Sequence, residues 1–197
     1  MGLVPRHHQF ITIMHVSACA LLLAAAAMAA PSTNDPRKPE TCTQKARNTK
    51  QWQVKDFDYH ASYLFTTPAH QNSQGYVNFT LENPSLGFTS RCEASSGQLQ
   101  DFFYGNLAYN CTDPVPGPKT TFTFSKPSGE LKVNQTWSCD DDRSTFWAQG
   151  GTKLELDCEE KKWANPDWKM GQTYSTRFVT CGRVNAPVPI KSMQAIA

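Results

Sequence analysis

From Trp52 onward the apolar residues recur at every second position rather than every third or fourth, which is the signature of half-buried strands and not of amphipathic helices. Tyr76 to Leu81 puts Val77, Phe79 and Leu81 on one side, and Leu131 to Trp137 does the same with Leu131, Val133 and Trp137. Phe122 and Phe124 alternate with threonine between Thr121 and Ser125, and Leu154 and Leu156 alternate with charge between Thr152 and Cys158. Gln172 to Cys181 is rich in β-branched and aromatic residues, so it too reads as a strand. Asn-Pro, Pro-Gly-Pro and Ser-Gly turns punctuate these segments. The run from Trp52 to Phe65 changes parity: Trp52 and Val54 point one way, yet Phe57 and Tyr59 fall on the opposite phase. A β-bulge between Lys55 and Asp56 restores a single inward face and helps a sheet curl towards closure. The pattern predicts an all-β fold, a single antiparallel barrel or sandwich, with at most a short helical turn over 95–104.

The N-terminus follows a different rule. Residues 1–10 carry Arg6 and no acid, and Ile11 to Ala30 is apolar or small except for Thr12, His15 and Ser17, ending in Ala27-Met28-Ala29. That is the pattern of a secretory signal peptide cleaved after Ala29. The proline-containing segment 30–41 reads as a disordered lead-in, 42–185 as the barrel domain and 186–197 as a C-terminal tail.

Cleavage removes Cys19 and leaves six cysteines, Cys42, Cys92, Cys111, Cys139, Cys158 and Cys181, an even number suited to three disulfides in an oxidising compartment. Fifteen pairings are open to six cysteines. Without a Cys-x-x-Cys pair, and with only His60 and His70 left after cleavage, a structural zinc site is not expected. The formal charge of +2 falls to +1 on processing, with acids and bases interspersed, so neither nucleic acid nor an anionic membrane surface is an expected partner.

Candidate chemistry is sparse. No Gly-x-Ser-x-Gly elbow occurs. A small hydrolase, nuclease or glycosidase, is the alternative reading, built from His60, His70 or the Asp140-Asp141-Asp142 cluster. Calcium at the Asp140 turn fails the EF-hand pattern, because Thr145 and Gly151 stand where glycine and glutamate are required. No metal or cofactor is therefore expected. The segment Lys161-Lys162-Trp163-Ala164-Asn165-Pro166-Asp167-Trp168 reads as a loop in which Trp163 and Trp168 supply contact area and Lys161 and Lys162 steer an acidic partner. Asn78, Asn110 and Asn134 stand in Asn-x-Thr sequons, and the strand phase puts Asn78 and Asn134 on the polar side.

The run CEASSGQLQDFFYGNLAYNC from Cys92 to Cys111, then FTFSKPSGELKVNQ from Phe122 to Gln135 and FWAQGG from Phe146, resembles the fungal secreted β-barrel family typified by the major Alternaria allergen. Trp52 to Phe57 is similar to that family's entry strand. The frame of Cys92, Leu99, Asp101, Tyr109 and Cys111 is its most specific part; residues 105–108 depart from the tightest form of the pattern. The resemblance implies an extracellular, non-enzymatic, allergen-like protein of effector or elicitor type. Its implied partners are a host extracellular protein or a small phenolic or carbohydrate ligand, with homodimerisation in some members. It also implies a Cys92 to Cys111 disulfide. A bond between Cys42 and Cys181, tying the first strand to the last, is a further expectation.

Overall fold

The computed structural model describes residues 39–196; the expected signal peptide and all of the lead-in but its last residues lie outside them. The domain opens with a helix, α1 (Cys42–Asn48), that strand periodicity could not reveal. Thr41 caps it: its side chain accepts from the Gln44 N–H while the Gln44 side chain accepts from the Thr41 N–H, a reciprocal capping box. Ten strands follow: β1 (Gln51–Thr67), β2 (His70–Glu82), β3 (Thr89–Ser96), β4 (Tyr109–Thr112), β5 (Lys119–Phe124), β6 (Glu130–Ser138), β7 (Thr145–Lys153), β8 (Cys158–Ala164), β9 (Ser175–Cys181) and β10 (Val184–Ile196).

Strands β1 to β7 and β10 form an antiparallel barrel that closes through the β1–β10 pairing, and closure leaves its wall without an open edge. The long β1 makes this possible. Its first part, Gln51 to Phe57, pairs with β10, whereas His60 to Phe65 pairs with β9. The β8–β9 hairpin thus leaves the barrel wall as a wing attached to the far end of β1. The register of β1 shifts between Val54 and Phe57 against β10, and Asp56 adopts a positive φ of 52°. This is the bulge, and it restores one inward face: Trp52, Val54, Phe57, Tyr59, Ala61 and Tyr63 are all buried. The Asp56 N–H, freed from the ladder, donates to Asn185 Oδ1 at 2.8 Å.

Three expectations need correction. Residues 186–196 are not a tail but most of β10, the closing strand; Val188 is buried opposite Trp52. Alternating prolines had hidden it, and they are tolerated because the pairing of β10 with β7 begins only at Ile190, so that at Pro187 and Pro189 β10 carries a ladder on its β1 side alone. Leu154 to Asp157 belongs to no strand, since β7 ends at Lys153 and Leu154 N–H donates to Gly129 O instead. Residues 97–108 form a turn and not a helix; Gln100 and Phe102 have positive φ, and Phe102 and Phe103 are buried.

That segment closes one end of the barrel. Phe103 packs edge-on to Tyr59 and Tyr109, Phe102 lies 5.0 Å from Tyr63, and Phe57, Phe79, Phe122 and Phe124 continue the aromatic core. Burial raises the Tyr59 and Tyr63 phenols above their ordinary value, which keeps them as neutral donors; the Tyr63 hydroxyl donates to Gln100 O at 2.5 Å. Gly75 is required here, because a Cβ at that position would stand 2.7 Å from the Phe102 side chain.

A polar network crosses the other part of the interior. Gln135 shares the inward face of β6 with Val133 and Trp137 and is 2% exposed. Its Oε1 accepts from Trp52 Nε1 at 2.9 Å and Asn83 Nδ2 at 2.8 Å, and its Nε2 donates to Thr120 Oγ1 at 3.0 Å and Ser90 Oγ at 3.5 Å. Both hydroxyls in turn donate to Asp113 Oδ1. The carboxylate polarises the hydroxyls that receive the Gln135 amide, so every polar group of this buried side chain is satisfied.

Candidate functional site

The disulfides fix where the site elements sit. Cys92 and Cys111 are direct cross-strand partners in β3 and β4 and are bonded, as are Cys158 and Cys181 at the base of the wing. Cys42 bonds Cys139, so the expected bond to Cys181 is not formed. The reason is that Cys42 lies in α1 and not on a strand, and α1 is held by the turn after β6. Asp141 accepts from the Thr43 N–H and hydroxyl, and Asp142 accepts from the Thr43 hydroxyl at 2.7 Å and the Ser144 N–H at 3.0 Å. Hydrogen bonds from Thr41 and Thr43 lower the Asp141 carboxyl below its ordinary value of 3.8. The Ser144 and Thr43 hydrogen bonds, and more weakly Arg47, do the same for Asp142. The acidic turn therefore acts as a clamp on the helix N-terminus, where anionic oxygens are favoured.

The histidines are occupied elsewhere. His70 Nδ1 lies 2.8 Å from the Thr66 hydroxyl at the tight β1–β2 turn. His60 stacks on Tyr76 at 5.0 Å, and its Nδ1 lies 3.3 Å from Asp58 Oδ2 two residues along the same strand. Their nearest polar partners are thus Thr66 and Asp58, while those of Asp141 and Asp142 are Thr43 and Ser144.

The wing collects the aromatic residues. Trp163 is not in a loop but in β8, opposite Thr176 of β9, which in turn faces Leu64 of β1; Phe178 faces Ser62, and His60 faces Tyr76 of β2. Residues directly opposite on antiparallel strands share a side of the sheet. Trp163, Phe178, Leu64 and Tyr76 consequently lie on one outward face of four strands, 52%, 49%, 38% and 38% exposed. Lys161 lies on that face, opposite Phe178. Lys162 points to the other side, where its Nζ is 3.1 Å from Glu160, which also pairs with Arg177; that guanidinium lies 4.5 Å over the Tyr63 ring. Trp168 is in the β8–β9 loop and turns back on it, donating from Nε1 to Gln172 O at 2.9 Å and packing edge-on to Tyr174. A shallow depression of about 450 Å³ between Phe65, Trp163 and Arg177 borders the face. Sequence reading found Trp163 and Lys161 but missed Phe178, Leu64 and Tyr76. Tyr76 alternates with buried Gly75 and Val77, Leu64 follows buried Tyr63 and Phe178 lies between half-buried Arg177 and Val179, and only the attachment of β9 to β1 brings the three onto one face.

The three sequons occupy different settings. Asn78 is half-buried, opposite Asp58 and Glu93 in a groove that also contains Arg91 and Arg183. Asn110 is exposed beside the bonded Cys111, and Asn134 is exposed on β6.

The closed barrel, its aromatic end, its winged hairpin and its three disulfides define an all-β, disulfide-stapled barrel with an external hairpin. The family model of Alternaria alternata allergen 1 matches residues 54–181, and the chain belongs to that family. No curated protein and no solved structure matches it. Three disulfides and membership of this family are consistent with a secreted protein.

Proposed function

We propose that this allergen-like protein acts outside the cell as a non-enzymatic binding protein of effector or elicitor type, and that it engages a host extracellular protein through the outward face of the wing. The observation that carries this is the group of four exposed apolar side chains, Trp163, Phe178, Leu64 and Tyr76, on a face fixed by the barrel and by the Cys158–Cys181 bond. Exposed apolar patches bordered by polar groups are what protein contacts are built from, and tryptophan and tyrosine are their commonest anchors. Thr176, Ser62 and His60 are interspersed among them on the same face, and Lys161 stands opposite Phe178, so hydrogen-bonding groups and a charge accompany the apolar contacts. The edge strand β8 presents Glu159, Glu160, Lys161 and Lys162, a charged row that discourages strand addition and leaves the face, not the edge, for contact.

The test compares the secreted protein with Trp163→Ala/Phe178→Ala, which removes exposed side chains and leaves the core intact. Both proteins are infiltrated into leaf tissue and immobilised against apoplastic fluid. The expected result is loss of the defence response and of partner capture with an unchanged circular-dichroism spectrum. Undiminished response and capture by the folded double variant would sink the proposal. Hydrolysis is the second reading, favoured only by the His60–Asp58 contact. It requires turnover of RNA or polysaccharide that disappears in His60→Ala.

A further inference from the structure

The outward side of β6, β7 and β10 differs chemically from the wing. Across these three strands the register forms two short rows: Asn134, Gln149 and Ser192 in one, Thr136, Trp147 and Gln194 in the next. The intervening residues Val133, Gln135, Phe146 and Ala148 are buried, so the six face outward together. Trp147 is 39% exposed, and with Gln149, Ser192, Gln194 and Ile196 it lines a depression of about 480 Å³ that contains no ionisable side chain. An indole beside amides and a hydroxyl, without charge, is the surface that suits a neutral sugar: the ring stacks on the apolar face of the pyranose while amides and hydroxyls exchange hydrogen bonds with its polar edge.

The sequon Asn134-Gln135-Thr136 runs along the border of this depression. Asn134 lies directly opposite Gln149, and Thr136 directly opposite Trp147, which makes Trp147 the diagonal neighbour of Asn134 at about 7–8 Å between Cα atoms, within reach of an aromatic side chain. We propose that Asn134 carries an N-linked glycan whose first N-acetylglucosamine packs on Trp147 and fills the depression towards Ser192 and Gln194. In the attachment, the Asn134 amide nitrogen attacks the anomeric carbon of a lipid-linked pyrophosphate oligosaccharide. The bond from that carbon to the pyrophosphate oxygen breaks, the pyrophosphate leaves with the electron pair, and the amide nitrogen loses one proton. No oxidant or reductant takes part. The other sequons lack this setting: Asn78 stands between Asp58 and Glu93, and Asn110 lies opposite Thr121 and next to a bonded cysteine. The glycan would cover the barrel wall and leave the wing face open, so the inference stands apart from the proposed binding role and needs only passage through the secretory pathway.

The chain is led into that pathway by a heterologous secretion leader in a yeast host and purified from the medium, which makes the result independent of its own N-terminus. Peptide mapping is expected to find Asn134 glycosylated. In a four-way comparison, Asn134→Gln is expected to lower the unfolding midpoint by about 2–4 °C when Trp147 is present and to have no effect in Trp147→Ala. Trp147→Tyr retains most of the difference. A nuclear Overhauser contact between the N-acetyl methyl and the Trp147 indole gives a reading that needs no variant. An unoccupied Asn134, an equal shift in both backgrounds, or the absence of that contact in the glycosylated protein would overturn the inference.

Discussion

Replacing Gln135 with alanine tests whether the barrel interior is organised by its polar network or merely tolerates it. The substitution leaves Trp52 Nε1 and one Asn83 amide proton without their acceptor, in residues 0% and 3% exposed. An unsatisfied buried donor costs roughly 1–3 kcal/mol, so the two cost about 2–6 kcal/mol, with a further contribution from the cavity. The Thr120 and Ser90 hydroxyls keep Asp113 as their acceptor and add little. With the cavity adding on the order of 1 kcal/mol, a loss of about 3–7 kcal/mol is therefore expected, against a total of roughly 5–15 kcal/mol for a typical domain. Gln135→Met separates the terms: it keeps the volume but not the acceptor, and should lose about 2–6 kcal/mol, less than Gln135→Ala by the cavity contribution. Lys119→Ala on the outer surface should stay within about 0.5 kcal/mol. Urea unfolding followed by tryptophan fluorescence and far-ultraviolet circular dichroism measures all three. A loss below about 1 kcal/mol for Gln135→Ala would refute the reasoning, since it would mean that the two donors find other partners at no cost.

Gly75→Ala should destabilise by about 1–3 kcal/mol, because the new methyl meets the Phe102 side chain at 2.7 Å and must displace the segment that closes the barrel end; an unchanged denaturation midpoint would count against that packing. Acid should loosen the helix clamp. Asp141 and Asp142 have lowered folded-state values, so their contribution is complete above the ordinary carboxylate value of 3.8 and is lost as pH falls below it through the lowered values. Amide hydrogen exchange over α1, corrected for intrinsic rate, should therefore rise below pH 3.8 while Cys42–Cys139 keeps the helix attached, and Asp141→Asn/Asp142→Asn should abolish that pH dependence.

Much of the barrel could be read from the order of residues because strand burial is a local, two-residue periodicity. Val77, Phe79 and Leu81 on β2 and Leu131, Val133 and Trp137 on β6 are inward in the sequence pattern and in the structure alike. The parity change in β1 marked its bulge for the same reason: one inserted residue flips every later side chain. The capping box at Thr41 and Gln44 was equally local, but a seven-residue helix carries too little periodicity to stand out beside long strands.

What only the tertiary structure decided is which distant segments meet. β10 closes the barrel against β1, and its prolines disguised a strand whose partner lies far away in the chain. Cys42 found Cys139 because Asp141 and Asp142 hold the first turn of α1, a contact between residues roughly 100 apart that no spacing rule encodes. The wing shows the same limit: Trp163, Phe178, Leu64 and Tyr76 become one face only when β9 takes the length of β1 that β10 leaves unpaired. Each strand's pattern determines which of its sides is buried, a property of neighbours along the chain. Which strand lies beside it depends on closing the barrel without open edges, a property of the whole domain.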